Sequence, residues 1–160
     1  MEHRNPASTT HSTTAPNSID MLEPLPWLPV LETGNEAIDR DHRQAVEDGN
    51  ALLRIIDARK SWPDLLAAVR WMRDRSARHF ETEDRILKRS RFPEADRHRR
   101  AHRRILAEIG GTLAELESLI APEAHHWRLA LAPMTLLVDH CLRDDLKFKS
   151  HVMQYEPSRR

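Results

Sequence analysis

Seven side chains of metal-binding type stand out among the 160 residues: His42, His79 with Glu83, His98 with His102, and His140 with Asp145. Each of these four groups lies in its own apolar-periodic segment. His79 and Glu83 are four residues apart, as are His98 and His102. Residues so spaced on a helix sit one turn apart on one face. Five imidazoles and two carboxylates suit a pair of first-row transition-metal ions, since imidazole binds iron well and a carboxylate has two oxygens with which to bridge. His140 and Asp145 fit less easily. Five residues along a regular helix turn through about 140°, so the two meet one centre only by flanking it or through a local distortion.

Each pair alone is a weak signal. The chain has 10 histidines, so an H-x-x-x-H spacing arises readily by chance. A lone histidine on an apolar face is more often a hydrogen-bonded core residue than a ligand. The conjunction carries the reading, because an ionisable group aimed into a core is costly unless it is paired or metal-bound. His3, His11, His125, His126 and His151 fall outside the pattern and are not assigned to the site.

The four groups need four elements to aim them, and the composition favours helices. There are only 4 glycines, aromatics make up 5%, and Arg, Leu, Ala and Glu abound. The length suits one domain. Formal net charge is zero, so no global field draws the chain to nucleic acid or an acidic membrane surface. Between Arg70 and Arg104, 13 Lys/Arg face 6 Asp/Glu, an excess of 7 that reads first as a solvated arginine-rich face. One cysteine, Cys141, excludes an internal disulfide and suits a reducing compartment. No run reaches the ~18 apolar residues of a membrane helix, and no apolar signal core opens the chain. These features predict a cytoplasmic protein.

Residues 1–20, rich in Ser, Thr, Asn and Pro, predict a disordered leader, and 21–35 an extended arm packed on a bundle spanning 36–155. Pro24, Pro26 and Pro29 forbid a regular helix in the arm, while Trp27, Leu28, Val30 and Leu31 are too apolar for a free tail. Apolar periodicity gives a first helix from about Glu36 to Ala58. A second opens with Ser61 as cap and Pro63 in its first turn, with an inward stripe from Leu65 through His79 and Glu83 to Ile86. The third starts after Phe92-Pro93 and carries His98, His102, Ile105, Ile109, Leu113, Leu116 and Ile120. The last covers about Glu123 to Gln154, with Pro133 as a kink or interruption. Short connections between four long helices predict an all-α fold, an up-down-up-down four-helix bundle with an extended N-terminal arm.

In these motifs the chain resembles the hemerythrin family, over about Trp27 to Phe148. W-L-P-V-L-E-T-G-N-E-A-I-D-R-D-H, ending at His42, is similar to that family's entry arm and first ligand. H-F-E-T-E-D from His79, F-P-E-A-D-R-H-R-R-A-H ending at His102, and the closing H-x-x-x-x-D of His140 and Asp145 match its other motifs. The resemblance implies two iron ions in a non-haem centre with an oxo or hydroxo bridge. It implies that His98, His102 and His140 hold one iron, that His42 and His79 hold the other, and that Glu83 and Asp145 bridge both. The two-histidine iron then keeps an open position. The implied function is reversible binding of molecular oxygen, as carrier, store or sensor.

The chain departs from the family pattern beside the site. Leu136 stands where a tryptophan is common, Cys141 replaces an aliphatic residue, and Pro133 and Asp139 are unusual. Ile105, one turn past His102, takes a place where the family often has an aromatic and is the expected wall of the oxygen pocket. The competing function is a di-iron enzyme acting on peroxide, oxygen or nitric oxide. Oxygen-activating bundle enzymes commonly use four carboxylates and two histidines, and a five-histidine set is less anionic and better suited to reversible binding. A signalling role would call for an attached output domain, for which a 20-residue leader is too short, and a closed four-coordinate zinc site does not suit seven ligands.

Overall fold

A computed structural model describes residues 23–155; the expected leader, 1–20, lies outside them. Long helices α1 (Glu36–Asp57), α2 (Trp62–Arg89) and α3 (Ala95–Glu117) follow one another, and no strand occurs among the described residues. The chain is an all-α helical bundle.

Local chemistry sets the helix ends. Asn35 caps α1 by accepting from the amides of Ala37 and Ile38, and Ser61 caps α2 through the amide of Asp64. Asp39, buried in the first turn of α1, reaches back to the arm. Its Oδ1 accepts from the Thr33 amide at 2.6 Å and the Thr33 hydroxyl at 2.8 Å, and its Oδ2 from the Gly34 amide at 3.1 Å. Gly34 has φ +85° and a Cβ there would lie 2.7 Å from Met153 Cγ, so both backbone and space call for glycine.

The fourth limb differs from the single helix expected between Glu123 and Gln154. A short α4 (Ala124–Leu129) is followed by α5 (Ala132–His140), a π-helical segment (Cys141–Asp145) and α6 (Leu146–Tyr155). Pro133 lies in the first turn of α5, where its missing N–H costs nothing, so of the two expected alternatives the limb is interrupted there, not kinked. Ile120, expected to extend the inward stripe of α3, lies past the helix end and is 101% exposed. On α2, Leu87 and Phe80 are buried where Ile86 is only partly so.

The two larger apolar clusters are separated. At one end Leu52, Ile56, Leu65, Val69, Leu113 and Leu116 interlock, covered by the edge-to-face pair Trp62–Trp127 at 5.5 Å. At the other end Ile38 and Leu87 meet Phe148 and Val152. Burying a side chain of this size contributes about 1.5–3 kcal/mol. Between the clusters, every limb of the bundle carries polar side chains inward.

Candidate metal centre

That polar layer holds all seven candidate residues. Six are buried: His42, Glu83, His98, His102, His140 and Asp145; His79 is partly so. They form two overlapping groups, each with ligand-type atoms within 4.8 Å of one another. Glu83, His98, His102, His140 and Asp145 make one group; His42, His79, Glu83 and Asp145 make the other.

The two shared carboxylates divide their oxygens between the groups. Glu83 Oε1 faces Nε2 of His42 at 3.7 Å and of His79 at 3.5 Å. Glu83 Oε2 faces Nε2 of His98 and of His102, both at 3.2 Å. Asp145 Oδ2 lies 3.3 Å from His42 Nε2, while its Oδ1 lies 3.5 Å from His98 Nε2 and 3.1 Å from His140 Nε2. His102 and His140 bring their Nε2 atoms to 3.0 Å.

The π segment makes the contact between Asp145 and His140. Its turns hydrogen-bond i→i+5, so a residue five along returns toward the same face. That is the local distortion by which His140 and Asp145 reach one centre.

The electrostatics are those of a site short of positive charge. Burial alone would raise the Glu83 pKa, yet His79, His102, His42 and His98 around it hold it well below the usual carboxylate value. Burial opposes protonation of His42, but Asp145, Cys141 and Glu83 overcome it and raise its pKa. His98 is likewise raised, with Glu83 outweighing burial. His140 is lowered, chiefly by burial. Several buried atoms still find no hydrogen-bond partner: His42 Nε2, Glu83 Oε1, and both oxygens of Asp145. Leaving such groups bare is expensive. Cations among them would satisfy imidazole lone pairs and carboxylates together, so the donor set fits a metal.

Outer partners orient the rings. His42 Nδ1 donates to the Leu31 carbonyl at 2.8 Å, which turns its Nε2 lone pair inward. His102 Nδ1 meets Asp84 Oδ1 at 3.0 Å, and Arg99 Nε donates to Asp84 Oδ2 at 3.0 Å. Asp41 Oδ2 lies 3.6 Å from His79 Nδ1, and Asp144 Oδ2 3.4 Å from His140 Nδ1. Contact with His79 lowers the Asp41 pKa, and Lys147 lowers that of Asp144 against the effect of burial. Sequence reasoning missed these three acids, although a signal was present. Asp41, Asp84 and Asp144 each adjoin a candidate ligand in the chain, namely His42, Glu83 and Asp145.

Phe80 was also missed. It stacks on His102 with ring centroids 3.9 Å apart and stands edge-on to His140 at 5.4 Å. A cavity of about 140 Å³ opens onto His42, His79 and His140, walled by Phe80, Met72, Leu137 and Cys141. Ile105 is not in that wall; it packs with Phe80 and Ile109 in a small core cluster. Cys141 is a free thiol, and burial pushes its pKa up to about 11. Asp48 and Arg75, paired at 2.9 Å, also line the cavity. Of the unassigned histidines, His126 closes the start of α4 and His151 donates to the Ser90 carbonyl at 2.6 Å.

No helix among the described residues is long and apolar enough to cross a membrane. Curated bacteriohemerythrins from Campylobacter jejuni strains are similar to the chain, at 23% identity over 127 residues, covering 79% of this chain and 90% of theirs. Residues 33–152 match the hemerythrin HHE cation binding domain, about three-quarters of the length. The chain belongs to the hemerythrin family.

Proposed function

We propose that the chain holds two iron ions and binds molecular oxygen reversibly at one of them. One observation carries this reading: Glu83 and Asp145 each present one oxygen to the His42 side and the other to the His98 side. Carboxylates placed in that way suit two cations better than one. His98, His102 and His140 would hold the first iron, and His42 and His79 the second. When bound, the metal pair would supply the open position and the electrons for oxygen binding.

The chain's own residues set the conditions. Three imidazoles face one position and two the other, so the position beside His42 and His79 would have room for a further ligand, and the cavity reaches both of those histidines. Phe80, Met72 and Leu137 line that cavity with apolar surface, which discourages water and anions. Leu31 and Asp84 fix the tautomers of His42 and His102. Cys141 adds a buried thiol to the wall, and its burial in the metal-free chain raises its pKa. The charged side chains that line the cavity, Asp41, Asp48, Arg75 and Arg78, are two of each sign, and Arg75 pairs with Asp48 at 2.9 Å.

The test is an optical spectrum of anaerobically iron-loaded protein, recorded again in air and after degassing. Reversible binding predicts a new visible band in air that disappears on degassing, over several cycles. A one-way change, with continued consumption of oxygen or peroxide, would replace the carrier reading with a di-iron enzyme.

A further inference from the structure

A second cavity lies beneath the N-terminal arm, and no role has been assigned to it. Its outer wall is Leu25 and Leu31 from the arm, Val46 from α1, and Met134 and Val138 from α5. Its inner wall is His42, Ala45, Met72, Leu137 and Cys141, and the same five residues line the larger cavity over the candidate metal centre. The two spaces therefore share a partition.

Size and lining narrow what the space can take. Its volume is about 30 Å³, against about 10–15 Å³ needed for one water. There is room for about two waters or one diatomic molecule. A buried water also needs 2–4 polar partners. Here only His42 and Cys141 carry polar side chains, and Nδ1 of His42 already donates to Leu31. The space suits a small apolar guest.

The arm is clamped over it. Asn50 Oδ1 accepts from the Leu25 amide at 2.7 Å, and Asn50 Nδ2 donates to the Leu25 carbonyl at 3.0 Å. Gly49 lets Leu25 and Met134 close down on α1: a Cβ there would lie 3.2 Å from Met134 Sδ and 3.5 Å from Leu25 Cδ1. The roof is thus set by specific contacts.

We infer that this apolar cavity is a holding site for a neutral diatomic gas and an entry route for it toward His42. The destination rests on the di-iron reading; the site itself does not. A neutral diatomic partitions into such a space, while an anion would be stripped of water with nothing to pair it. The route therefore discriminates by polarity before any ligand reaches the centre.

The experiment has two arms on the full chain. Crystals pressurised with xenon should show an atom bounded by Val46, Met134 and Val138, absent in Val138→Phe. In iron-loaded protein, Val138→Phe should slow nitric oxide association at least five-fold and leave azide association, iron content and the final spectra unchanged. Val138→Ile, a milder filling, should slow nitric oxide to a lesser degree and serves if the Phe variant does not fold. Absence of xenon there, or nitric oxide rates unchanged in the folded filled variant, would overturn the proposal. Failure of the chain to take up iron would instead overturn the di-iron reading, and the xenon arm would still decide the cavity.

Discussion

Glu83 on α2 and Asp145 at the end of the π segment face each other across the bundle core, and each splits its oxygens between the same two histidine groups. Two residues in this relation should fail alike. Glu83→Ala and Asp145→Ala should each abolish binding of both metals. His42→Ala should cost chiefly the metal on its own side, leaving about one per chain. Metal analysis after gel filtration reads the difference. Loss of a single iron in all three variants would contradict sharing by the carboxylates.

Asp84 orients His102 and is held by Arg99. Asp84→Asn should keep the fold and weaken metal binding about 10- to 100-fold, the usual effect of losing an outer carboxylate partner. Arg99→Ala should have a smaller effect in the same direction. Competition with a chelator of known affinity measures both. Unchanged affinity in Asp84→Asn would show that packing against Phe80 suffices to place the ring.

The π segment adds one residue to a turn. Deleting exposed Arg143 should restore a regular helix, leaving His140 and Asp145 four apart on one face. Metal binding and helix content should survive. Inserting an alanine after Leu142 should instead carry Asp145 about 100° further round and abolish binding. Circular dichroism and metal content check the pair, and loss of metal in the deletion would mean that the wide turn itself is required.

In the metal-free chain, protonated histidines compensate the buried carboxylates, which fixes a pH dependence. The pKa values of His42 and His98 are raised above 6.5, so their contribution is full below pH 6.5 and is lost as pH rises through the folded values. Glu83 is lowered from 4.5, so its contribution is present above pH 4.5 and is lost as pH falls toward the folded value. The lowered His140 works the other way from its fellows and weakens the fold as pH drops below 6.5. Melting of the metal-free protein should therefore fall as pH rises above 6.5 and fall again below pH 4.5. The metal-loaded protein should not lose stability on the alkaline side, because metal binding displaces those protons. Thermal melts of both forms across that range provide the check, and parallel curves would contradict the assignment.

Much of this was legible in the sequence because helical periodicity is a strong signal. The apolar stripes of α1 to α3 are enough to place His42, His79, Glu83, His98 and His102 inward. The fourth limb was harder to read. Pro133 is compatible with a kink or a start, and residue spacing does not choose between them. A π turn has no residue signature of its own; its one trace was the awkward five-residue spacing of His140 and Asp145. Phe80 and Asp84 escaped notice because they flank the stripe and reach partners on other helices, which local spacing does not encode. Ile105 was inward as expected, yet its distance from the cavity depended on Phe80 lying beside it.

Glu83 and Asp145 together would serve two metal positions. Anaerobic titration of the metal-free full chain with ferrous iron, followed by removal of unbound metal, tests it directly. The predicted result is saturation at two irons per chain. Saturation at one would contradict the account.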